Sequence, residues 1–206
     1  MNMNMNMDTN IDDYTGVCIQ IGLLNTVEML YLTEPNWRSK IRDQSIVNQI
    51  PKFDYDNWML YAVECDPLSI DVICERYKNA NCRLICAHIS DYSFAKIQGN
   101  TLWNPNNDLW VPAMTLDTFV NNLSLDRIDV LKLDIESDEL NVLQSYSFNI
   151  KPCYISVECH EQMVEGITND VKNVLESQEY DIINSFVTND QRTIELQAIL
   201  QKRQFE

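Results

Sequence analysis

The chain has 206 residues, 45% of them hydrophobic and 22% charged, which suits the core of one α/β domain and excludes wholesale disorder. Its formal charge of -16 at pH 7 gives no basic footprint for a phosphate backbone and opposes anionic membrane surfaces, so neither nucleic acid nor membrane is an expected partner. Seven cysteines with no paired CxxC units read as reduced core thiols rather than a disulfide or zinc framework; with no apolar run of bilayer length, a cytoplasmic protein is expected.

Residues 1–13 alternate Met and Asn and then turn polar, the composition of a disordered tail, which leaves 14–206 as a single domain. GVCIQIG at 16–22 is the first strand, closed by Gly22. A short apolar helical stretch covers 27–32. The polar segment 34–57, punctuated by Pro35 and Pro51, reads as an insertion, either a rim or lid or a surface excursion without a role. WMLYAVEC at 58–65 is the second strand, and it ends in Glu64 and Cys65. An acid at this point typically accepts hydrogen bonds from the ribose hydroxyls of a nucleotide-type cofactor, a reading of Glu64 favoured over a purely capping role. Asp66 and Pro67 suit a helix start, and Ile70, Ile73, Cys74 and Tyr77 then fall on one apolar face. CRLICAHI at 82–89 is the third strand, closed by Ser90 and Asp91; its His88 is read as a packing or capping residue rather than a catalyst. Residues 93–112, with Gly99, Pro105, Trp103 and Trp110, form a loop or hairpin.

A short helix at 117–123 leads to the most informative stretch, DVLKLDIESDEL at 129–140. Val130, Leu131, Leu133 and Ile135 are those of a strand buried on both faces, yet Lys132, Asp134 and Glu136 interrupt them at every second place and so share one side. Burying that row unpaired would cost several kcal/mol per ion. Two solutions exist: the strand emerges at its carboxyl end, where open α/β sheets bind ligands, or the charges form a structural ion-pair ladder. A helix follows at 138–146, then the strand CYISVECH at 153–160, where Glu158 and His160 again share a face at the carboxyl end. A helix at 171–180, striped by Val171, Val174 and Leu175, precedes two β segments at 180–187 and 193–200.

Residues 114–144, MTLDTFVNNLSLDRIDVLKLDIESDELNVLQ, resemble the signature of the FkbM-type methyltransferases. The matching positions are Thr115, Leu116, Asp117, Asp129, Leu131, Lys132, Asp134, Glu136, Glu139 and Leu143; Ser137 stands where the family usually has Gly. The resemblance implies a class I, Rossmann-like methyltransferase fold: a doubly wound, mostly parallel sheet finished by a C-terminal antiparallel strand. It also implies S-adenosylmethionine as cofactor. By the same resemblance Gln20, Gly22 and Asn25 form the cofactor turn, Glu64 and Cys65 the second strand's contribution, Ser90 and Asp91 the adenine side, and Asp134 the floor.

The implied reaction is O-methylation of a hydroxyl on a small molecule or glycan, with a sugar favoured. An alcohol needs a base as the new bond forms. His160, with an unperturbed pKa near neutrality, is the first choice and Asp134 the second; Glu136 and Glu158 hold the acceptor or His160, and Lys132 steadies the acids. Carboxylates on two neighbouring strand ends can also hold a divalent metal, which the signature does not require and which is not favoured on sequence alone. The alternative function is a catalytically inactive methyltransferase fold kept as a binding or scaffolding module. Its support is the missing second glycine after Gly22, together with Ser137. A dinucleotide oxidoreductase is disfavoured, because the single Gly22 stands about twice the expected distance from Glu64. Acceptor identity and oligomeric state are not encoded legibly.

Overall fold

The computed structural model describes residues 15–23, 57–76, 82–90, 94–97, 109–136, 138–187 and 193–201. In chain order its elements are β1 (Gly16–Ile21), β2 (Trp58–Glu64), α1 (Pro67–Arg76), β3 (Cys82–Cys86), β4 (His88–Ile89), β5 (Phe94–Ile97) and β6 (Leu109–Met114). There follow α2 (Leu116–Asn122), β7 (Val130–Leu133), α3 (Glu139–Ser145), β8 (Tyr154–His160), α4 (Ile167–Ser177), β9 (Tyr180–Val187) and β10 (Thr193–Leu200). The expected tail at 1–13, the helix at 27–32 and the insertion at 34–57 (apart from Asn57) lie outside the described residues, as do Asn25, Tyr77, Asp91, Trp103 and Ser137.

Because GVCIQI carries no charge, β1 can be buried along its whole length, and it lies between β2 and the central β7 in a seven-stranded sheet of order β3-β2-β1-β7-β8-β10-β9. All neighbours are parallel except β10, which runs antiparallel to both β8 and β9. The predicted doubly wound sheet with a reversed C-terminal strand is therefore the observed one. Alternation sorts the side chains onto two faces. Val17, Ile19, Ile21, Tyr61, Val63 and Leu131 pack with Phe119 of α2, Val142 of α3 and Val171 and Leu175 of α4. Cys18, Leu60, Ala62 and Val130 face the other way, with Ile73 of α1.

Two expectations need correction. The third strand does not run unbroken to residue 89. After Cys86 the Ala87 amide donates to the Glu64 carbonyl (3.0 Å), and His88 and Ile89 turn away to pair with Ala113 and Met114 in a separate three-stranded sheet. The segment read as a loop or hairpin is the latter, with β5 antiparallel to β6. The charged row of the central strand also divides: β7 ends at Leu133, and Glu136 sits in the left-handed region at φ 55.

Only Lys132 stays inside, 3% exposed, and it takes the structural role. Its Nζ lies 2.6 Å from Glu195 of β10 and 3.6 Å from Glu158 of β8, while the Ser156 hydroxyl donates to the other Glu195 oxygen. One buried cation thus ties β7, β8 and β10 together on one face.

At the end of β1, Gly22 has φ 84 and donates to the Val63 carbonyl (2.9 Å). A Cβ there would lie 1.6 Å from the Asp134 carbonyl oxygen, so the turn must be glycine for the ends of β1 and β7 to meet.

These contacts set two expectations. Lys132→Met leaves Glu195 buried without its cation and should cost about 3–5 kcal/mol. At roughly 2–4 °C per kcal/mol, that is a clear drop in unfolding midpoint; Lys132→Met with Glu195→Met should recover much of it, and equal losses in both would refute the pairing. Gly22→Ala should lower stability by at least about 1–3 kcal/mol through left-handed strain and the clash, and an unchanged denaturant midpoint would contradict the close approach.

Candidate active site

From β1 the chain winds outward through β2 and β3, then returns to the other side of β1 to lay down β7 and β8. The connections leaving β1 and β7 therefore diverge, and such a switch point opens a crevice at the carboxyl ends of the strands. Four strand ends meet along that edge: Glu64 from β2, Gly22 from β1, Asp134 from β7, and Glu158 with His160 from β8.

The β1–β2 side of the crevice is tightly bonded. Both Glu64 oxygens accept backbone hydrogen bonds, one from Leu23 N (3.0 Å) and one from Asp66 N (2.8 Å), so this carboxylate fixes the turn after β1 as well as the helix start after β2. Gln20 is buried, with its amide donating to the Gly22 carbonyl (3.3 Å). Cys65 is half-buried, and burial and the nearby Glu64 push its thiol well up, which keeps it neutral. Ser90 is fully buried, its amide donating to the Met114 carbonyl (3.0 Å). Its side chain bonds Asp138, which also receives Asn141 and faces His88 at 3.5 Å; against the effect of burial, these partners hold the Asp138 carboxyl below its usual range.

The β7–β8 side of the crevice is organised by a residue given no role from sequence. Glu139, at the start of α3 and 0% exposed, accepts at one oxygen from Ile135 N (3.0 Å) and from the His160 Nδ1 at 3.0 Å. Because Glu139 accepts, Nδ1 carries the proton. Nε2 is thereby turned toward Asp134 Oδ1 (3.6 Å) and Glu136 Oε2 (3.5 Å). Asp134, Glu158 and His160 each bring one ligand-type atom within 4.8 Å of the others.

Electrostatics follow from this crowding. Burial and then the Asp134 charge raise Glu158 to about 7, with Lys132 opposing. Burial works against charge on His160, but the hydrogen bond it donates to Glu139 and the charges of Glu139, Glu136 and Asp134 outweigh it and lift the imidazole to about 9. The cluster therefore holds an imidazolium among carboxylates, with Lys132 behind it at 3.6 Å from Glu158, not the free base expected from an isolated histidine.

The structure thus gathers Asp134, Glu136, Glu158 and His160 at one place, with Gly22 and Glu64 beside them, and sets Lys132 behind them in its buried pair. Sequence reading missed Glu139, Asp138 and Glu195. For Glu195 a signal existed: Thr193, Glu195 and Gln197 repeat in β10 the every-second-place polar pattern that marked β7. Glu139 stood within the recognised motif, but its partner lies 21 residues away and only the packing of α3 on β8 joins them.

No curated protein gives a match to the sequence. Among solved structures, fibrillarin from Methanococcus jannaschii, a pre-rRNA processing protein, superposes with a TM-score of 0.54 at 12% identity, covering 95% of this chain and 70% of that one. An O-methyltransferase from Bacillus cereus, solved in complex with SAH, gives 0.51 at 9% identity over 90% and 74%. Fibrillarin from Aeropyrum pernix with natively bound S-adenosyl-L-methionine gives 0.50 at 10% identity over 94% and 70%. At such identities the likeness is one of fold, and the fold is that of class I methyltransferases. The sequence itself matches the Methyltransferase FkbM domain over residues 42–183, which include every strand end of the crevice except β1. By that match, and with Asp134, Glu136 and Glu139 of the motif meeting His160 at the sheet edge, the chain belongs to the FkbM methyltransferase domain family.

Proposed function

We propose that this protein transfers the methyl group of S-adenosylmethionine to a hydroxyl oxygen of a small-molecule or glycan acceptor, a sugar being favoured. The observation that carries the reading is the meeting of Asp134, Glu158 and His160 beside the Gly22 turn at the switch point. The cofactor's demands fit the residues present: a turn without a side chain at the end of β1, and a fixed carboxylate, Glu64, at the end of β2 where ribose hydroxyls are received. When bound, the cofactor supplies a methyl group already activated by its sulfonium.

The protein must then align the acceptor, exclude water and receive a proton. Asp134 and Glu158 are the carboxylates that face the acceptor side and accept its hydroxyl. Glu139 and His160 fix their positions, since the imidazole sits between Glu139 and the Asp134 and Glu136 carboxylates. The overall charge of -16 favours a neutral or cationic acceptor over a nucleic acid. Among the described residues no helix is long and apolar enough to cross a membrane.

Thermal unfolding tests the cofactor assignment directly. S-adenosylmethionine or S-adenosylhomocysteine at about 100 times its dissociation constant should add about 2.7 kcal/mol of stability. NAD should add none. With a competent acceptor, Asp134→Ala and His160→Ala should each lower turnover by about 10²- to 10⁴-fold; near-normal turnover in both would place the chemistry elsewhere. A cofactor shift without turnover on any hydroxyl acceptor would favour the binding-module alternative.

A further inference from the structure

We propose that Asp134, Glu158 and His160 form a binding site for one divalent first-row transition-metal ion, of the kind of Mn2+ or Zn2+, and that Glu139 is the residue that presents His160 to it. Binding stands on the geometry of the cluster alone. What the ion would do there rests on the reading of this edge as the acceptor site.

Two carboxylates and one imidazole each offer a ligand atom, all within 4.8 Å of one another. With bonds of about 2.0–2.2 Å, ligand atoms on one ion stand at most about 4.4 Å apart, so the side chains need close by only a few tenths of an ångström to seat it. Three residues on two neighbouring strand ends would be a weak indication by themselves. The second observation is the state of His160. The ring is 4% exposed, and its Nδ1 is bonded to a fully buried carboxylate, Glu139. Its Nε2 makes no hydrogen bond among the described residues, yet it points at the Asp134 and Glu136 oxygens from 3.6 and 3.5 Å. A carboxylate on one ring nitrogen, with the other nitrogen aimed at a cluster of oxygens, is the arrangement by which proteins fix the tautomer and direction of a metal-ligating histidine.

Charge points the same way. Asp134, Glu136, Glu139 and Glu158 all surround this one imidazole or each other, and Lys132 is engaged at 2.6 Å by Glu195 and reaches Glu158 only at 3.6 Å. Asp134 and Glu158 bring carboxylate oxygens within 4.8 Å of each other, a mutual repulsion that a cation between them relieves. The donor set selects the metal. Imidazole with two carboxylates suits Mn2+ or Zn2+, whereas Ca2+ takes 6–8 oxygens and this cluster offers one from each of two carboxylates.

Three protein ligands leave coordination positions for water or for the acceptor oxygen. A hydroxyl bound there becomes more acidic, and its proton can leave to water or to the Glu136 carboxylate, whose side chain is 66% exposed. The ion would supply the positive charge that holds the carboxylates together. The sequence offered no ground for preferring a metal, because the buried partner of His160 was not visible in it.

The test uses the full chain, stripped with chelator and shown to be folded by circular dichroism. Mn2+ is then titrated and followed by electron paramagnetic resonance and calorimetry, with Zn2+ and Ca2+ in parallel. Expected are one saturable Mn2+ or Zn2+ per chain, nitrogen hyperfine coupling from one imidazole, and much weaker Ca2+ binding. Asp134→Ala and His160→Ala should abolish saturation, and the isosteric Glu139→Gln, which keeps the packing, should weaken binding roughly 10- to 100-fold. Absence of saturable binding in the folded protein would overturn the inference and leave an imidazolium-centred ion network. Binding that persists in His160→Ala would overturn it equally. A cofactor-induced thermal shift without metal binding would sink this inference alone, whereas metal binding without a cofactor shift would sink the proposed methyl transfer and leave the site standing.

Discussion

The contact on which the rest depends is the close approach of Gly22 to the backbone of Asp134. At the carboxyl end of β1, the left-handed glycine turns with its missing side chain directly over the Asp134 carbonyl, and Asp134 N donates to Ile21 O (2.9 Å). The first strand and the motif strand are thereby locked in register at the point where the chain reverses its winding. Every candidate group takes its place from that lock: Glu64 one strand to one side, Glu158 and His160 one strand to the other. A bulkier residue at position 22 would push the ends of β1 and β7 apart.

Glu139 converts this backbone framework into a site. Its single oxygen serves both the Ile135 amide and the His160 ring, so the loop leaving β7 and the end of β8 are held by one buried carboxylate on α3. Burial makes that link strong, because a lost partner would leave a charge or a polar atom without water to solvate it. Next to it, Asp138 performs the matching task for His88 and Ser90. Two successive acids at one helix start therefore order the two halves of the crevice.

Lys132 shows how the same motif serves stability and chemistry at once. It shares the alternation of Asp134 but lies one residue pair deeper, where the sheet is fully covered, and there it pairs with Glu195 instead of facing the crevice. The two readings of the charged row, an emerging strand end and an ion-pair ladder, are both realised, divided at Leu133 where β7 stops. Depth along the strand decides which charge does which work. Desolvation penalises an unpaired ion inside, and water tolerates one at the edge.

Much of the fold was legible from local rules. Uncharged runs marked β1 and β2, alternation marked β7 and β8, and an acid followed by proline marked the start of α1, because burial and backbone geometry act within a few residues. The split of the third strand was not legible, since Ala87 breaks away to satisfy a carbonyl on β2 and the partner of His88 and Ile89 lies in β6. The sequence by itself determined the class of fold, the residues at the strand ends and the family to which they belong. Tertiary structure alone decided their states: that His160 is gripped by Glu139, that Lys132 belongs to Glu195, and that Asp134 and Glu158 crowd one another. The reason is physical. Alternation and capping are set by the chain's own geometry, whereas charge state and ligand direction depend on buried partners brought from 21 or 63 residues away.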